Sequence, residues 1–250
     1  MPVALITGGA SLIGEGIAGV LAREGWDVVV SDVNTATAQM VADKFQGKFA
    51  GKTGNAPKLT VAKLDVTDMA EVTRVVDATA KDHGGIDALV NLAGGGRGIG
   101  IPQHDFADAP PEWWNKMVSI NLIGLLNVTN AVLKHMVSAK KGGIVSITAR
   151  RGLQGGPKAA VYSGCKAATI VFSQSLAQEV GPLGIRVNTV APGDVAARWK
   201  VGEHVKPTRS PLGEATTPDH IGEAVAFLLS EKACHITGSC IDVSGGVALH

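Results

Sequence analysis

The chain contains one tyrosine, and a lysine follows it by four positions, in the segment from Tyr162 to Lys166. Residues four apart share one face of a helix, so an ammonium can lie beside the phenol. A nearby positive charge favours phenolate and lowers a tyrosine pKa from about 10 toward neutrality. Such a tyrosine can exchange a proton with an alcohol. The bare pattern is also typical of a solvated helix face, so its meaning depends on where the fold places it.

A glycine turn follows the first apolar run and leads directly into a helical pattern, from Gly8 to Gly14. Glycines let the backbone approach a pyrophosphate, and a helix amino terminus offers unpaired N–H groups and a partial positive charge. Asp32 stands where a carboxylate would accept hydrogen bonds from an adenosine ribose. Because a carboxylate repels a 2′-phosphate and the turn contains no Lys or Arg, we expect NAD rather than NADP. The alternative for Asp32 is a turn former or helix cap.

Predicted strands and helices alternate along the chain, and the fold that they form must position these residues. Short β-branched runs predict buried strands, and the longer segments between them have helical spacing. This order predicts one doubly wound α/β domain over residues 1–250, a Rossmann-type parallel sheet of about seven strands with helices on both faces. The predicted strands are Val3–Ile6, Asp27–Val30, Leu59–Leu64, Ile86–Asn91, Ile144–Ile147, Ile185–Val190 and Ile241–Val243. The predicted helices are Ile13–Arg23, Met69–Lys81, Trp113–Met136, Ala159–Glu179 and Pro218–Leu229.

Composition excludes several classes of protein. The chain has 250 residues, 45% of them hydrophobic, and a formal net charge of +1, so no long-range field attracts nucleic acid or anionic lipid. No apolar run approaches the ~18 residues of a membrane span, and no basic leader precedes the first strand, which predicts no membrane partner and a cytoplasmic location. The three cysteines form no disulfide pattern, and Cys234, His235 and Cys240 do not complete a metal site.

Taken together, the glycine turn, the acidic residue and the tyrosine-lysine pair resemble the classical short-chain dehydrogenase/reductase family over essentially the whole chain. Further matches are Leu64-Asp65-Val66, the segment Asn91 to Gly94, Asn121 and Pro192-Gly193. The resemblance implies that Tyr162 is the acid/base, that Lys166 holds the nicotinamide ribose and lowers the tyrosine pKa, and that Asn121 orders a water for proton relay. It also implies a homotetramer built on the long helices. The cofactor-binding residues that it implies are Gly8, Ser11, Leu12, Ile13, Gly14, Asp32, Asp65, Val66, Asn91, Ala93, Gly94, Tyr162, Lys166, Pro192, Gly193 and Val195.

The chain departs from the family's pattern at two important positions. Leu12 stands where the family has the middle glycine of its turn, which predicts a tilted loop or weaker cofactor binding. Ala149 stands thirteen residues before Tyr162, where the family has its catalytic serine. Loss of one such hydrogen-bond donor typically costs a hundred- to a thousandfold in rate, roughly 3 to 4 kcal/mol. Thr148 would replace the donor if the loop shifted by one residue.

The substrate side is less defined by the sequence. Arg150 and Arg151 follow Ala149, and a guanidinium facing the cleft would suit a carboxylate or phosphate, although arginines at strand ends usually face solvent. The segment 193–218 is expected to be a substrate lid, because long loops at strand ends bind ligands in such sheets; a tolerated surface insertion is the alternative. The predicted substrate contacts are Thr148, Ala149, Arg150, Gln154 and Trp199.

These observations predict an NAD(H)-dependent oxidoreductase that interconverts a small-molecule secondary alcohol and a ketone, with Tyr162 as acid/base. Ala149 and Leu12 motivate a second hypothesis, an NAD-binding protein of the same fold with little or no turnover. A third is a serine-to-alanine variant of an active dehydrogenase, and a fourth is a lyase or isomerase that retains the fold and the tyrosine. The identity and charge of the substrate and the direction of the reaction are not determined by the sequence.

Overall fold

A computed structural model describes residues 1–49, 56–196 and 210–247. Its strands are short, and the inner ones are almost fully buried, as their runs of Val, Ile, Leu and Ala require. The strands are β1 (Val3–Thr7), β2 (Asp27–Asp32), β3 (Leu59–Lys63), β4 (Ala88–Asn91), β5 (Gly142–Ile147), β6 (Ile185–Pro192) and β7 (Cys240–Val243). All pair in parallel, in the order β3-β2-β1-β4-β5-β6-β7. The predicted sheet is confirmed.

Helices connect the strands, and several begin at a side-chain cap. Ser11 accepts a hydrogen bond from the Gly14 amide at the first helix, and Asp68 accepts from two amides of the third. The helices are α1 (Leu12–Arg23), α2 (Thr35–Phe45), α3 (Met69–His83), α4 (Pro111–Val118), α5 (Gly124–Ala139), α6 (Arg150–Gln154), α7 (Ala160–Val180) and α8 (Pro218–Leu229).

The core has two halves, one on each face of the sheet. Successive strand residues point to opposite faces, so Ala4 and Ile6 pack under α1, α2 and α8, whereas Val3 and Leu5 pack under α3, α5 and α7. The strand order reverses direction between β1 and β4. The loops after these two strands therefore diverge and open a crevice at the carboxyl edge of the sheet, which is where doubly wound sheets bind their ligands.

Two details differ from the sequence prediction. α2 was not predicted, because only Ala38, Val41 and Ala42 of its eleven residues are buried and its apolar pattern is weak. The helix expected over Trp113–Met136 divides into α4 and α5 at a π-helical turn, Ser119–Ile123.

The helical run Pro111–Ala139 has the length and apolar composition of a membrane-crossing helix. Its most apolar window is 44% buried inside the protein. Val128, Val132 and Met136 of this run belong to the core beneath α3 and α7. Buried helices of this kind meet the same length and composition criteria, so the run is a core helix of the α/β fold.

Candidate active site

A cleft of about 740 Å³ lies at the carboxyl edge of the sheet, a volume within the usual range for ligand pockets. Its walls come from the turns that follow β1 to β6, together with Ile120 of the π-helical turn and the first turns of α7. The fold thus joins segments that are far apart in the sequence. Predicted site residues that line it are Gly8, Ser11, Ile13, Asp32, Asp65, Val66, Ala93, Gly94, Thr148, Ala149, Tyr162, Lys166, Pro192, Gly193 and Val195.

The glycine turn is held tightly against the turn after β4. Gly8 has φ +67°, and a Cβ there would lie 2.8 Å from the Ala93 Cα, so only glycine fits without strain. The Thr7 hydroxyl accepts hydrogen bonds from the amides of Leu92 and Ala93, at 3.1 and 3.2 Å. Thr7 was not singled out from the sequence, because a threonine at a strand end gives no local signal of a contact with a strand so distant in the chain.

The amino terminus of α1 points its first amides at the cleft. Ser11 occupies the cap. The amides of Leu12 and Ile13 lie in the first turn, where the helix itself offers them no carbonyl acceptor, so they remain available to an anion. The Leu12 side chain is 37% exposed and does not line the cleft. Gly14, also expected at the cofactor, instead packs against the backbone of Gly9. The residues of this turn fit a dinucleotide pyrophosphate.

Asp32, the last residue of β2, lies beside this turn on the cleft surface. One carboxylate oxygen accepts from the Ala10 amide at 3.1 Å and the other from the Asn34 amide at 2.9 Å. Further along the cleft, Asp65 accepts hydrogen bonds from the amide and hydroxyl of Thr67. Asp32 therefore acts as a turn former, which was the alternative interpretation of this residue, and it also presents its carboxylate to the cleft.

Tyr162 and Lys166 lie on α7, with the Lys166 Nζ 5.9 Å from the centre of the tyrosine ring. Lys166 is 4% exposed, and its ammonium donates to the Ile147 carbonyl at 2.9 Å. Burial lowers the pKa of Lys166 from 10.5 to about 8. Burial also raises the pKa of Tyr162, although the charge of Arg151 opposes the shift. The pKa of Tyr162 therefore shifts in the direction opposite to the one expected from the neighbouring ammonium, because desolvation outweighs the charge of Arg151.

The two residues at the serine position differ in what they offer. Ala149 lines the cleft with a methyl group. The Thr148 hydroxyl is buried and donates to the Lys166 carbonyl at 2.7 Å. A hydroxyl has one proton to donate, so in this structure Thr148 has none left for a substrate oxygen.

Two predicted asparagines lie behind the cleft rather than on its surface. The Asn91 amide donates to the hydroxyls of Thr129 and Ser146, which joins β4 to α5 and β5. Asn121 lies in the π-helical turn, where its amide both accepts from the Gly95 amide and donates to the Gly95 carbonyl. Asn121 therefore fixes the turn after β4 in this structure, and a water role for its side chain requires these bonds to change.

The remaining predicted substrate residues do not meet at one place. Arg150 lies 3.7 Å from the Asp194 carboxylate and does not line the cleft, and neither does the exposed Gln154. Trp199 and half of the proposed lid, residues 197–209, lie outside the described residues. The described ends of that segment are joined, because Ala196 donates its amide to Thr216. The sequence missed Leu92, Gly95, Ile99 and Ile120 as cleft residues, since apolar and glycine residues in loops give no local signal of a binding wall.

Comparisons with known proteins agree with this site. A family model described as enoyl-(acyl carrier protein) reductase matches residues 8–248. The chain is 34% identical over 252 residues to 3-oxoacyl-[acyl-carrier-protein] reductase FabG of Chlamydia muridarum, covering 98% of this chain and 96% of that protein. It is 34% identical over 259 residues to 2-(S)-hydroxypropyl-CoM dehydrogenase 3 of Xanthobacter autotrophicus, covering 98% and 96%.

A solved structure has the same fold throughout. The 3-ketoacyl-(acyl-carrier-protein) reductase from Brucella melitensis, complexed with NADH, superposes with a TM-score of 0.86 at 28% identity, covering 99% of this chain and 98% of that one. The fold, the cleft and these relatives identify the chain as a member of the classical short-chain dehydrogenase/reductase family and as an NAD(P)-dependent oxidoreductase.

Proposed function

We propose that this protein interconverts a secondary alcohol and a ketone, using NAD(H) and with Tyr162 as the proton donor and acceptor. The observation that carries the proposal is that Tyr162 and Lys166 line the same cleft as the glycine turn and Asp32. The nicotinamide of a bound cofactor would accept or supply the hydride. The names of two relatives support the substrate class, since one is called a 3-oxoacyl reductase and the other a 2-hydroxypropyl dehydrogenase.

The proton chemistry follows from the burial of the pair. Because burial raises the pKa of Tyr162, the phenol is protonated at neutral pH and can donate to a ketone oxygen. Lys166 has a pKa of about 8, so it carries its charge at neutral pH and favours the phenolate that the donation leaves. Oxidation of an alcohol would begin from the phenolate, so we expect this direction to need a higher pH than reduction.

The preference for NAD over NADP rests on the charges beside the ribose. Asp32 presents a carboxylate there, and Val33, Asn34 and Thr37 line the same part of the cleft. Among the described residues that line the cleft, Lys166 is the only lysine or arginine, and it belongs to the opposite end. A 2′-phosphate would therefore meet a negative charge and no described cation.

Ala149 supports a second candidate, an NAD-binding protein with little turnover. The cleft has no hydroxyl at this position, and the Thr148 proton is used within the protein. A substrate or a rearranged Thr148 would have to supply the missing donor in an active enzyme.

One experiment separates these candidates. NADH oxidation is measured with a panel of 3-oxo thioesters, 3-oxo acids and cyclic ketones, for the native chain, Ala149→Ser and Tyr162→Phe. We expect measurable reduction of a ketone by the native chain and its loss in Tyr162→Phe, which retains the ring but not the hydroxyl. A hundredfold gain in Ala149→Ser would identify the alanine as a disabling replacement. No reduction by any of the three, with NADH still bound, would reject the oxidoreductase and support the binding protein.

We also propose a cytoplasmic homotetramer, formed on α4, α5 and α7, and a substrate lid over residues 193–218. Two exposed apolar side chains in this region, Ile123 in the π-helical turn before α5 and Val171 on α7, suit a buried interface. Sedimentation equilibrium tests the assembly, since a monomeric mass would contradict it. Loss of ketone reduction in a chain with a shortened 197–209 segment, with NADH binding retained, would support the lid.

A further inference from the structure

A second cavity of about 210 Å³ adjoins the cleft, and Tyr162 lines both. Its other walls come from the loop after β4, from α6 and from the residues that begin α7. A molecule whose carbonyl reaches Tyr162 would therefore place its remaining atoms in this cavity. The volume equals roughly seven water molecules at about 30 Å³ each, which is enough for a compact group.

The charges around this cavity are of one sign. Its lining includes two cationic side chains, Arg151 and Lys158, beside the imidazole of His104, and no Asp or Glu lines it among the described residues. Lys158 is exposed and lies 3.7 Å from the Asp105 carboxylate, so its charge is partly balanced. His104 packs against Trp113 with ring centres 5.0 Å apart and ring planes tilted by 56°, and its Nδ1 lies 2.8 Å from the Pro102 carbonyl.

Arg151 is the cation without a carboxylate partner. It is half-buried, and its guanidinium donates to the Pro157 carbonyl at 3.2 Å. In the described part of the chain no carboxylate lies within ion-pair distance of it, whereas its neighbour Arg150 lies beside Asp194. A side chain at Gly156 would overlap the Arg151 guanidinium, so the glycine allows this placement. A fixed guanidinium with free N–H groups can bind a carboxylate with two parallel hydrogen bonds.

We propose that the substrate is a small ketone, or the corresponding alcohol, that carries a carboxylate within a few bonds of the reacting carbon, and that Arg151 binds this carboxylate in the second cavity. The inference rests on the proposed function, because it assigns the substrate class of the same site. It separates this chain from reductases of long neutral acyl groups, whose chains have no anion near the reacting carbon. Because Tyr162 and Arg151 both line this cavity of about 210 Å³, the carbonyl and the carboxylate of the substrate must lie within its span.

The test compares two substrates of equal size. 3-Oxobutanoate and 3-oxobutanamide have the same number of heavy atoms and the same ketone, but only the first has a negative charge. NADH oxidation is measured with both, for the native chain, Arg151→Gln, Arg151→Lys and the control Arg74→Gln, which removes an exposed arginine of α3. Binding of malonate, a dicarboxylate without a ketone, is measured by calorimetry with the same four proteins.

We expect the native chain to prefer 3-oxobutanoate by at least tenfold in kcat/KM. Arg151→Gln should lower kcat/KM for 3-oxobutanoate at least thirtyfold, mainly through KM, and change the amide by less than threefold. Arg151→Lys should retain part of the preference, and Arg74→Gln all of it. Malonate should bind the native chain and bind Arg151→Gln at least tenfold more weakly.

Two results would overturn the inference: equal use of acid and amide by the native chain, or an equal loss of both in Arg151→Gln. In either case ketone reduction itself would show that the proposed function stands. Conversely, if no ketone is reduced but malonate binds in a manner that depends on Arg151, the proposed function fails and the anion site remains. Failure of malonate to bind, together with no ketone reduction, would reject both.

Discussion

The buried ammonium of Lys166 makes a prediction about stability that does not depend on the substrate. Lys166 has a pKa of about 8 in the folded protein, against 10.5 for an ordinary lysine. Between these two values the unfolded chain holds a proton that the folded chain has lost. Stability therefore rises with pH across this window, because the unfolded state binds more protons. Lowering the pKa from 10.5 to about 8 means that burial of the charged ammonium costs the folded protein about 3 kcal/mol at neutral pH.

Lys166→Met keeps the length of the side chain and removes the charge. Unfolding by urea is measured at pH 7, 8, 9 and 10 without cofactor, at one protein concentration so that assembly does not change the comparison. The free energy of unfolding of the native chain, minus that of Lys166→Met, should rise by about 2 to 3 kcal/mol from pH 7 to pH 10. Subtraction of the methionine variant removes the contributions of groups that titrate in both proteins.

Lys232→Met, which changes an exposed lysine after α8, is the matched control. Its difference from the native chain should stay constant with pH. A constant difference for Lys166→Met as well would refute the reasoning, because it would mean that water solvates the ammonium in the folded protein and that burial does not shift its pKa. A difference that falls with pH would contradict the sign of the argument.

Three further predictions concern the cleft. Asp32→Asn removes the charge that opposes a 2′-phosphate. The ratio of kcat/KM with NADPH to that with NADH should therefore rise about tenfold or more, which corresponds to about 1.4 kcal/mol. An unchanged ratio would show that another residue sets the preference. Gly8→Ala forces a side chain into a positive φ and against the Ala93 backbone, and should weaken NADH binding, measured by fluorescence titration, and lower stability by roughly 1 to 3 kcal/mol. Thr148→Val removes the hydrogen bond to the Lys166 carbonyl, which keeps its intrahelical donor inside α7, so urea unfolding should show a loss of about 0.5 to 1.5 kcal/mol. Stability equal to that of the native chain would mean that this hydrogen bond contributes nothing.

Much of the fold could be predicted from patterns of residues that are close together in the chain. Runs of β-branched residues alternate with helical segments, and that order is typical of a parallel sheet covered by helices. The weakly amphipathic α2 escaped detection, as did the π-helical turn at Asn121, because neither leaves a periodic apolar pattern. The turn holds Asn121 against Gly95, and that contact spans 26 positions of the chain.

The sequence by itself determined the α/β fold, the glycine turn, the acidic residue after β2 and the spacing of Tyr162 and Lys166, because each depends on residues that are close in the chain. Only the tertiary structure decided what the neighbouring polar residues do. Thr148 and Ala149, and likewise Arg150 and Arg151, are adjacent in the chain, yet Thr148 donates to Lys166, Arg150 lies beside Asp194 and Arg151 lines the second cavity. Burial and hydrogen-bond partners, which set pKa values and free charges, come from segments that only folding brings together.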